Sequence, residues 1–297
     1  MYIFDNESLE YLLKRNEHCI HKDYVEYLIG NKEKIAIKEK DSYKIGIIIP
    51  NCNYEEWIEK CLSSIEKQTY KNYEVIFIDD CSTDDSVKIA QKFLNRIPLK
   101  IVELRQKRYN GGARNEGYLY LSDDVDYVWY IDSDDWIVPE ALETINANLG
   151  ADVLFIGIAD SNGYYYIPNY KNKYEAIKGW SGSSGKVIKK ELAISQLYQE
   201  GTLKEDRTQH YKITINMNTY KCIPNILYTW NRKNTKSVTT VRNKKWKADT
   251  IRNYADAVEM YELEKGRDIK IDQLLLERIY NTKNEVERNL DSQQWDM

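Results

Sequence analysis

Several kinds of residue and pattern are scarce in this chain, and each scarcity narrows what it can be. Its five cysteines, at positions 19, 52, 61, 81 and 222, form no CxxC pair and make an odd number. Neither a disulfide framework nor a zinc site is implied, so they read as ordinary thiols of a reducing compartment. No stretch approaches the roughly 18 consecutive apolar residues that a membrane-spanning helix needs. The first apolar residues are interrupted by Asp5, Glu7 and Glu10, so the apolar block of a secretory signal is missing as well. A soluble, cytoplasmic protein is expected. Excess positive charge is also lacking: 43 Lys and Arg stand against 47 Asp and Glu, a formal net charge of -4. There is no overall basic field to steer the chain onto nucleic acid, which is not an expected partner.

What is present is enough apolar material for a substantial core. The 297 residues are 42% hydrophobic, which fits one main domain with helical additions. Tyrosine is abundant, at 25 residues, but compositional bias accounts for that as well as any function does.

Residues 1–42 read as a helical extension, with Leu9, Leu12 and Leu13 on one face followed by a solvated Lys/Glu-rich stretch. The pattern changes at Tyr43. Residues 45–50 form a short β-branched run, as in a strand buried on both faces, and Ile58, Leu62 and Ile65 then recur at helical spacing. A strand at 75–78 follows, then a helix start at Ser82 and Thr83 with Val87, Ala90 and Leu94 on its apolar face. Further strands are expected at 101–104, 127–131 and 153–157, with a helix at about 112–121. This alternation predicts an α/β fold with a doubly wound, mainly parallel sheet. Residues 179–185, rich in Gly and Ser, read as a flexible loop serving as lid or linker. From about 243 onward the pattern is helical and charged, with Ile251, Tyr254, Ala255 and Val258 on one face, so 241–297 is expected to be a helical C-terminal region.

Ligands of such sheets sit at the carboxyl ends of the strands. Asn51 and Asn53 follow the first strand, Asp79 and Asp80 the second, and Asp132, Asp134 and Asp135 the fourth. The last group places three carboxylates in four residues, which suits Mg²⁺ or Mn²⁺ sharing its remaining positions with water and substrate phosphates. The blander reading, that Asp132 or Asp135 caps the helix Pro139 helps to start, leaves the cost of adjacent carboxylates uncompensated. Asp80 either accepts from a nucleoside or starts the next helix, and Ser82 and Thr83 are better placed as caps. Asn110-Gly111-Gly112-Ala113-Arg114-Asn115 opens a helix. Its glycines permit close backbone approach, the helix amino terminus favours phosphate, and Arg114 can pair with phosphate bidentately. A bare pair of glycines is often only a turn.

Taken together, four motifs in order resemble family 2 glycosyltransferases of the GT-A fold. They are Ile47-Ile48-Ile49-Pro50-Asn51-Cys52-Asn53, Val75 to Asp84 with its Asp79-Asp80-Cys81-Ser82-Thr83-Asp84 loop, Ala113-Arg114-Asn115-Glu116-Gly117, and Asp132-Ser133-Asp134-Asp135-Trp136. Gly185-Lys186-Val187-Ile188-Lys189-Lys190, Leu203-Lys204-Glu205-Asp206 and Leu227-Tyr228-Thr229-Trp230 with Ser237-Val238-Thr239 match the family's downstream segments. The resemblance spans 43–240, with a nucleotide-sugar half at 43–150 and an acceptor half at 151–240.

The resemblance implies that Pro50, Asn51, Asn53, Asp79 and Asp80 hold the donor's nucleoside, and that Gly111, Gly112 and Arg114 attend its diphosphate. Asp134 would bind the metal, Mn²⁺ or Mg²⁺, while Asp132 contacts ribose or a metal-bound water and Ser133 lies in the same turn. Asp206 would be the general base, with Glu205 the alternative. The implied reaction is inverting transfer of a sugar from a nucleotide-diphosphate sugar, a UDP-sugar, to a hydroxyl of a glycan, lipid-linked or other acceptor in surface polysaccharide synthesis. The chain departs from the pattern at Cys52, where the family carries an aromatic residue that Tyr54 is placed to replace, and it is shorter before Ala113. His210, four residues beyond Asp206, is either a further metal ligand or a packing residue. Arg242, Lys244, Lys245 and Lys247 around Trp246 form either a peripheral membrane contact or a solvated helix start. Two rival functions are a sugar nucleotidyltransferase and a non-catalytic carbohydrate-binding scaffold.

Overall fold

The computed structural model describes residues 42–235, 237 and 244–291. The expected extension before Ser42, together with Val238, Thr239 and Arg242, lies outside the described residues. The first strand, β1 (Ile45–Asn51), is buried along its whole length. Its alternation sorts side chains onto two faces. Ile45, Ile47 and Ile49 enter one core with Ile58, Leu62 and Ile65 of α1 (Ile58–Glu66), whereas Ile48 enters a second core on the other face. A strand covered on both sides needs no polar alternation, which is why its sequence is a continuous apolar run.

The chain continues through β2 (Tyr73–Asp79), α2 (Ser86–Gln91), β3 (Leu99–Glu103), α3 (Tyr109–Gly117) and β4 (Tyr127–Tyr130). There follow β5 (Trp136–Ile137), α4 (Ala141–Asn146), β6 (Val153–Asp160), β7 (Tyr165–Tyr166) and α5 (Lys173–Lys178). The last elements are β8 (Lys186–Lys189), α6 (Lys190–Ser195), α7 (Glu205–Asn216), β9 (Tyr220–Trp230), α8 (Lys244–Glu264) and α9 (Ile269–Asp291).

One sheet runs in the order β3-β2-β1-β4-β8-β6-β9-β5, with β7 alongside β6. The parallel arrangement read from the sequence holds from β3 to β4. Beyond β4 the sheet is mixed: β8 runs antiparallel to both β4 and β6, β9 is parallel to β6, and β5 pairs antiparallel with β9. Because β2 lies on one side of β1 and β4 on the other, the strand order reverses at β1 and a crevice opens beyond its carboxyl end.

Two local expectations are corrected. The helix expected to start at Ser82 and Thr83 begins at Ser86, because both hydroxyl residues are spent on the neighbouring loop: Ser82 Oγ donates to Asp79 and the Thr83 amide to Asn53. The 179–185 segment is not a flexible loop. Ser183–Gly185 form a buried 3₁₀ turn, Trp129 Nε1 donates to the Ser184 carbonyl at 2.7 Å, and the Trp180 ring lies against Tyr166 and Trp230.

The C-terminal helices are docked on the domain. Met260 of α8 and Ile271, Leu274 and Leu275 of α9 share a small core with Ile177 and Ile215. The buried Arg278 donates to Thr208 Oγ1 at 2.8 Å. Among the described residues no helix is long and apolar enough to cross a membrane.

Candidate active site

Three strand ends meet at the crevice. Asp79, the last residue of β2, accepts from Asn51 Nδ2 at 2.9 Å and from the amide and hydroxyl of Ser82 at 2.9 and 2.6 Å. These bonds stitch the loop after β1, whose Pro50 is buried in the strand, to the loop after β2. Asn53 has a φ of 60°, a left-handed conformation that asparagine tolerates, and its Oδ1 accepts from the Thr83 amide at 2.7 Å. The buried Asn51 Oδ1 has no partner among the described residues.

Asp80, expected at the nucleoside, is held by the backbone where α3 begins. Both its oxygens accept backbone N–H groups, from Arg108 at 2.6 Å and Tyr109 at 2.8 Å, so it anchors the entry to α3. That anchor holds Tyr109 at a φ of 61°. Lys107, which the sequence reading missed, donates to Cys52 Sγ at 2.8 Å at the lip of the same loops.

The glycines of α3, expected at the diphosphate, lie where the helix is closely packed. A Cβ on Gly111 would lie 2.4 Å from the Gln199 carbonyl oxygen, and one on Gly112 2.5 Å from Arg108 Cβ. The bareness of Gly111 lets α3 press against the 198–200 segment, and that of Gly112 makes room for the Arg108 side chain. Arg114 is likewise not an open phosphate ligand. Its side chain is 1% exposed, Nη1 donates to Glu205 Oε1 at 2.8 Å and Asp206 Oδ1 at 3.2 Å, and Nη2 donates to Asp132 Oδ1 at 2.7 Å. A fixed planar fork with five donors is suited to bridge carboxylates from separate elements. One guanidinium thus joins the acidic turn after β4 to the first turn of α7.

Within the acidic turn the three carboxylates have separate surroundings. Asp135 is buried, accepting from the Tyr228 hydroxyl and from the Asn231 amide at 2.7 Å. Tyr228 also takes the Asp132 amide at 3.2 Å. Asp134 is mostly buried and accepts from Asn234 Nδ2 at 2.7 Å. Burial, with the Asp132 charge adding to it, pushes the Asp134 carboxyl up to about 6. Burial also raises Asp135, reinforced by Asp134 and Asp132. The Tyr54 hydroxyl is driven up by burial and by the charges of Asp134 and Asp132. Ser133 Oγ is buried without a partner.

These features fit a hard cation. Crowded carboxylate charge and an unpartnered hydroxyl oxygen make an oxygen-only donor set, which suits Mg²⁺ or Mn²⁺. Among the described residues no group of three or more His, Cys, Asp or Glu side chains forms a complete metal cage. An ion at Asp134 and Asp132 would therefore draw its other ligands from water and phosphate.

His210 does not join them. It is fully buried, its Nε2 lies 3.0 and 3.1 Å from the Ala176 and Ile177 carbonyls, and burial holds its ring well below the ordinary histidine range. It is a packing residue that ties α7 to the end of α5.

On the opposite side of Arg114, Glu205 and Asp206 differ in access. The Glu205 side chain is 4% exposed and that of Asp206 40%. Burial, followed by the Asp206 charge, raises Glu205, against the pull of Arg114. Asp206 Oδ1 also accepts from Ser183 Oγ at 2.5 Å. Nearby, the fully buried Lys186 donates to the Gly182 carbonyl at 2.6 Å, and burial lowers its ammonium to about 7. Ser183, Lys186 and Asn234 are site residues the sequence reading did not assign, although Lys186 stood in a quoted motif.

A doubly wound sheet with an acidic turn after β4, and a second acidic pair facing it across one arginine, is a scaffold of the GT-A type. Residues 46–202 match the family model described as Glycosyl transferase family 2, and the chain belongs to that family. Glycosyltransferase GlyA of Streptococcus pneumoniae is 30% identical over 200 residues, covering 57% of this chain and 28% of that protein. TarS of Staphylococcus aureus, a poly(ribitol-phosphate) beta-N-acetylglucosaminyltransferase, is 32% identical over 125 residues, covering 40% of this chain and 22% of that protein. The matches thus span under a third of the length of either relative. The crystal structure of TarS 1-349 in complex with UDP-GlcNAc superposes with a TM-score of 0.67 at 23% identity, covering 80% of this chain and 73% of that one.

Proposed function

We propose that the protein is a metal-dependent, inverting glycosyltransferase that moves a sugar from a UDP-sugar to an acceptor hydroxyl during assembly of a surface polysaccharide. The observation that carries this reading is the Arg114 bridge, which sets Asp132 of the acidic turn and Asp206 of α7 on either side of one guanidinium. Donor activation and proton removal are thereby held in a fixed relation. The nucleoside is received between the loops that Asn51 and Asn53, and Asp79 and Asp80, tie together. Asp134 and Asp132 hold the cation, which supplies positive charge to the leaving diphosphate when bound.

Asp206 is the base in preference to Glu205. It is open to an incoming hydroxyl, whereas Glu205 is enclosed against Arg114. The amino terminus of α7 favours negative charge at this position. The UDP-GlcNAc bound by TarS and its poly(ribitol-phosphate) acceptor support a UDP-sugar donor and a surface-polymer acceptor. A cytoplasmic setting follows from such a donor, with contact to membrane-borne acceptors. The rival nucleotidyltransferase reading needs basic groups free for a triphosphate, whereas near the glycines Arg114 is committed to three carboxylates and Arg108 is paired with Glu116 and Glu200.

The test is to present a panel of UDP-, GDP-, dTDP- and CMP-sugars with and without Mn²⁺, measuring donor binding and slow donor hydrolysis. Mn²⁺-dependent release of UDP from a UDP-sugar is expected. Failure to bind any donor would return the chain to the scaffold reading.

A further inference from the structure

The Gly/Ser segment that reads from sequence as a lid or linker is tied directly to the carboxylate assigned as base. Ser183 Oγ lies 2.5 Å from Asp206 Oδ1, and the Tyr198 hydroxyl lies 2.6 Å from Ser183 Oγ. Directions follow from the chemistry of the end group. An ionised carboxylate only accepts, so the Ser183 hydrogen points at Asp206, which leaves Ser183 Oγ to accept from Tyr198. The Tyr198 ring is itself fixed, edge-on to Tyr130 at 5.4 Å and beneath the Arg114 guanidinium at 5.1 Å.

The turn carrying Ser183 is pinned from two sides, by Lys186 Nζ on the Gly182 carbonyl and by Trp129 Nε1 on the Ser184 carbonyl. Arg114 Nη1 reaches the same Oδ1 of Asp206, at 3.2 Å. Two donors converge on Oδ1, and among the described residues none reaches Oδ2.

We propose that Ser183, oriented by Tyr198, is a positioning residue that holds Asp206 by Oδ1 and so presents Oδ2 to the acceptor hydroxyl. The inference rests on the reading of Asp206 as the base and extends it to the oxygen that reacts. As the acceptor oxygen bonds to the anomeric carbon, the bond from that carbon to the donor's diphosphate breaks with its electron pair. The acceptor's O–H bond breaks, and its proton passes to Oδ2. A carboxylate free to rotate would offer either oxygen at variable distance, and transfer would lose the alignment it depends on.

The experiment compares wild type with Ser183→Ala, Ser183→Thr and Tyr198→Phe, after thermal melting confirms that each is folded. Carboxyl-labelled aspartate gives an NMR signal for Asp206, assigned with Asp206→Asn, whose titration is followed without any substrate. In Ser183→Ala the Asp206 signal is expected to titrate at higher pH, because a carboxylate that loses a donor holds its proton more tightly. Ser183→Thr restores the wild-type curve, and Tyr198→Phe moves it the same way by less. With whichever donor of the panel wild type hydrolyses, Ser183→Ala lowers kcat by about tenfold with KM unchanged, the scale of one hydrogen bond to a charged group. An unaltered Asp206 titration in Ser183→Ala overturns the positioning role, whether or not a donor is found. A shifted titration in a protein that turns over no donor would overturn the transferase reading instead.

Discussion

Arg114 Nη2 lies 2.7 Å from Asp132 Oδ1, a bond that crosses from α3 to the turn after β4 and is made by a side chain with almost no contact with solvent. The same guanidinium closes on Glu205 and Asp206 of α7, so three carboxylates share one buried cation. Removing that cation orphans the buried Glu205, while Asp132 and Asp206, each more than a third exposed, keep much of their water. Arg114→Met is expected to destabilise the fold by about 3–5 kcal/mol, the usual cost of orphaning buried charges. Urea unfolding measures this, and Arg114→Met combined with Glu205→Gln should recover part of the loss; equal destabilisation of the single and double variants would contradict the bridge.

Asp134 supplies a prediction in pH. Its carboxyl sits at about 6 against an ordinary 3.8, so between these values the folded chain binds more protons than the unfolded chain. Stability contributed through this group therefore falls as pH rises from about 4 to 6, and the deficit persists above that window. At neutral pH the deficit is about 2–3 kcal/mol. In metal-free protein Asp134→Asn should raise the melting temperature at pH 7.5 but not at pH 4, while abolishing both stabilisation by Mn²⁺ and sugar transfer. An active Asp134→Asn protein would remove the metal assignment.

Separating the two candidate bases needs one substitution at each. Asp206→Asn is expected to lower turnover by 10²-fold or more while donor binding persists, as for loss of a general base. Glu205→Gln should chiefly lower stability, since it weakens the buried pair with Arg114. Titration calorimetry for the donor beside a turnover assay distinguishes these outcomes, and the reverse pattern would make Glu205 the base.

Tyr228 ties the long strand β9 to the acidic turn, donating to Asp135 and accepting from the Asp132 amide. Tyr228→Phe removes one donor from a buried carboxylate and is expected to cost about 2 kcal/mol. A chemical denaturation midpoint unchanged from wild type would mean that Asp135 is satisfied without it.

The parallel half of the sheet was legible because β1, β2 and β4 are short apolar runs closed by polar clusters, and the order of those clusters already located the crevice. Residues whose partners lie far along the chain were not legible. Asp80 binds amides 28 and 29 residues away, and the carboxylates on Arg114 stand 18, 91 and 92 residues from it. A local pattern shows that an aspartate or arginine is present but not what occupies it. The short β5 was missed because Trp136 and Ile137 are too few to show an alternation, and it exists only through pairing with β9. The 183–185 turn looked mobile by composition, yet its order comes from Trp129, Tyr198 and Lys186, none of which adjoins it in a recognisable pattern except Lys186.

The stretch that delivers Glu205 and Asp206 is secured by the C-terminal helices rather than by the sheet. The Leu203 amide donates to Asp249, Lys204 Nζ to Thr250 and Glu285, and Gln199 to Asp256. The tail thus serves as the jig for the carboxylate proposed as base. Changes on the faces of α8 and α9 that hold Leu203 and Lys204 would therefore reach Asp206 through the chain itself, without passing through β1, β2 or β4.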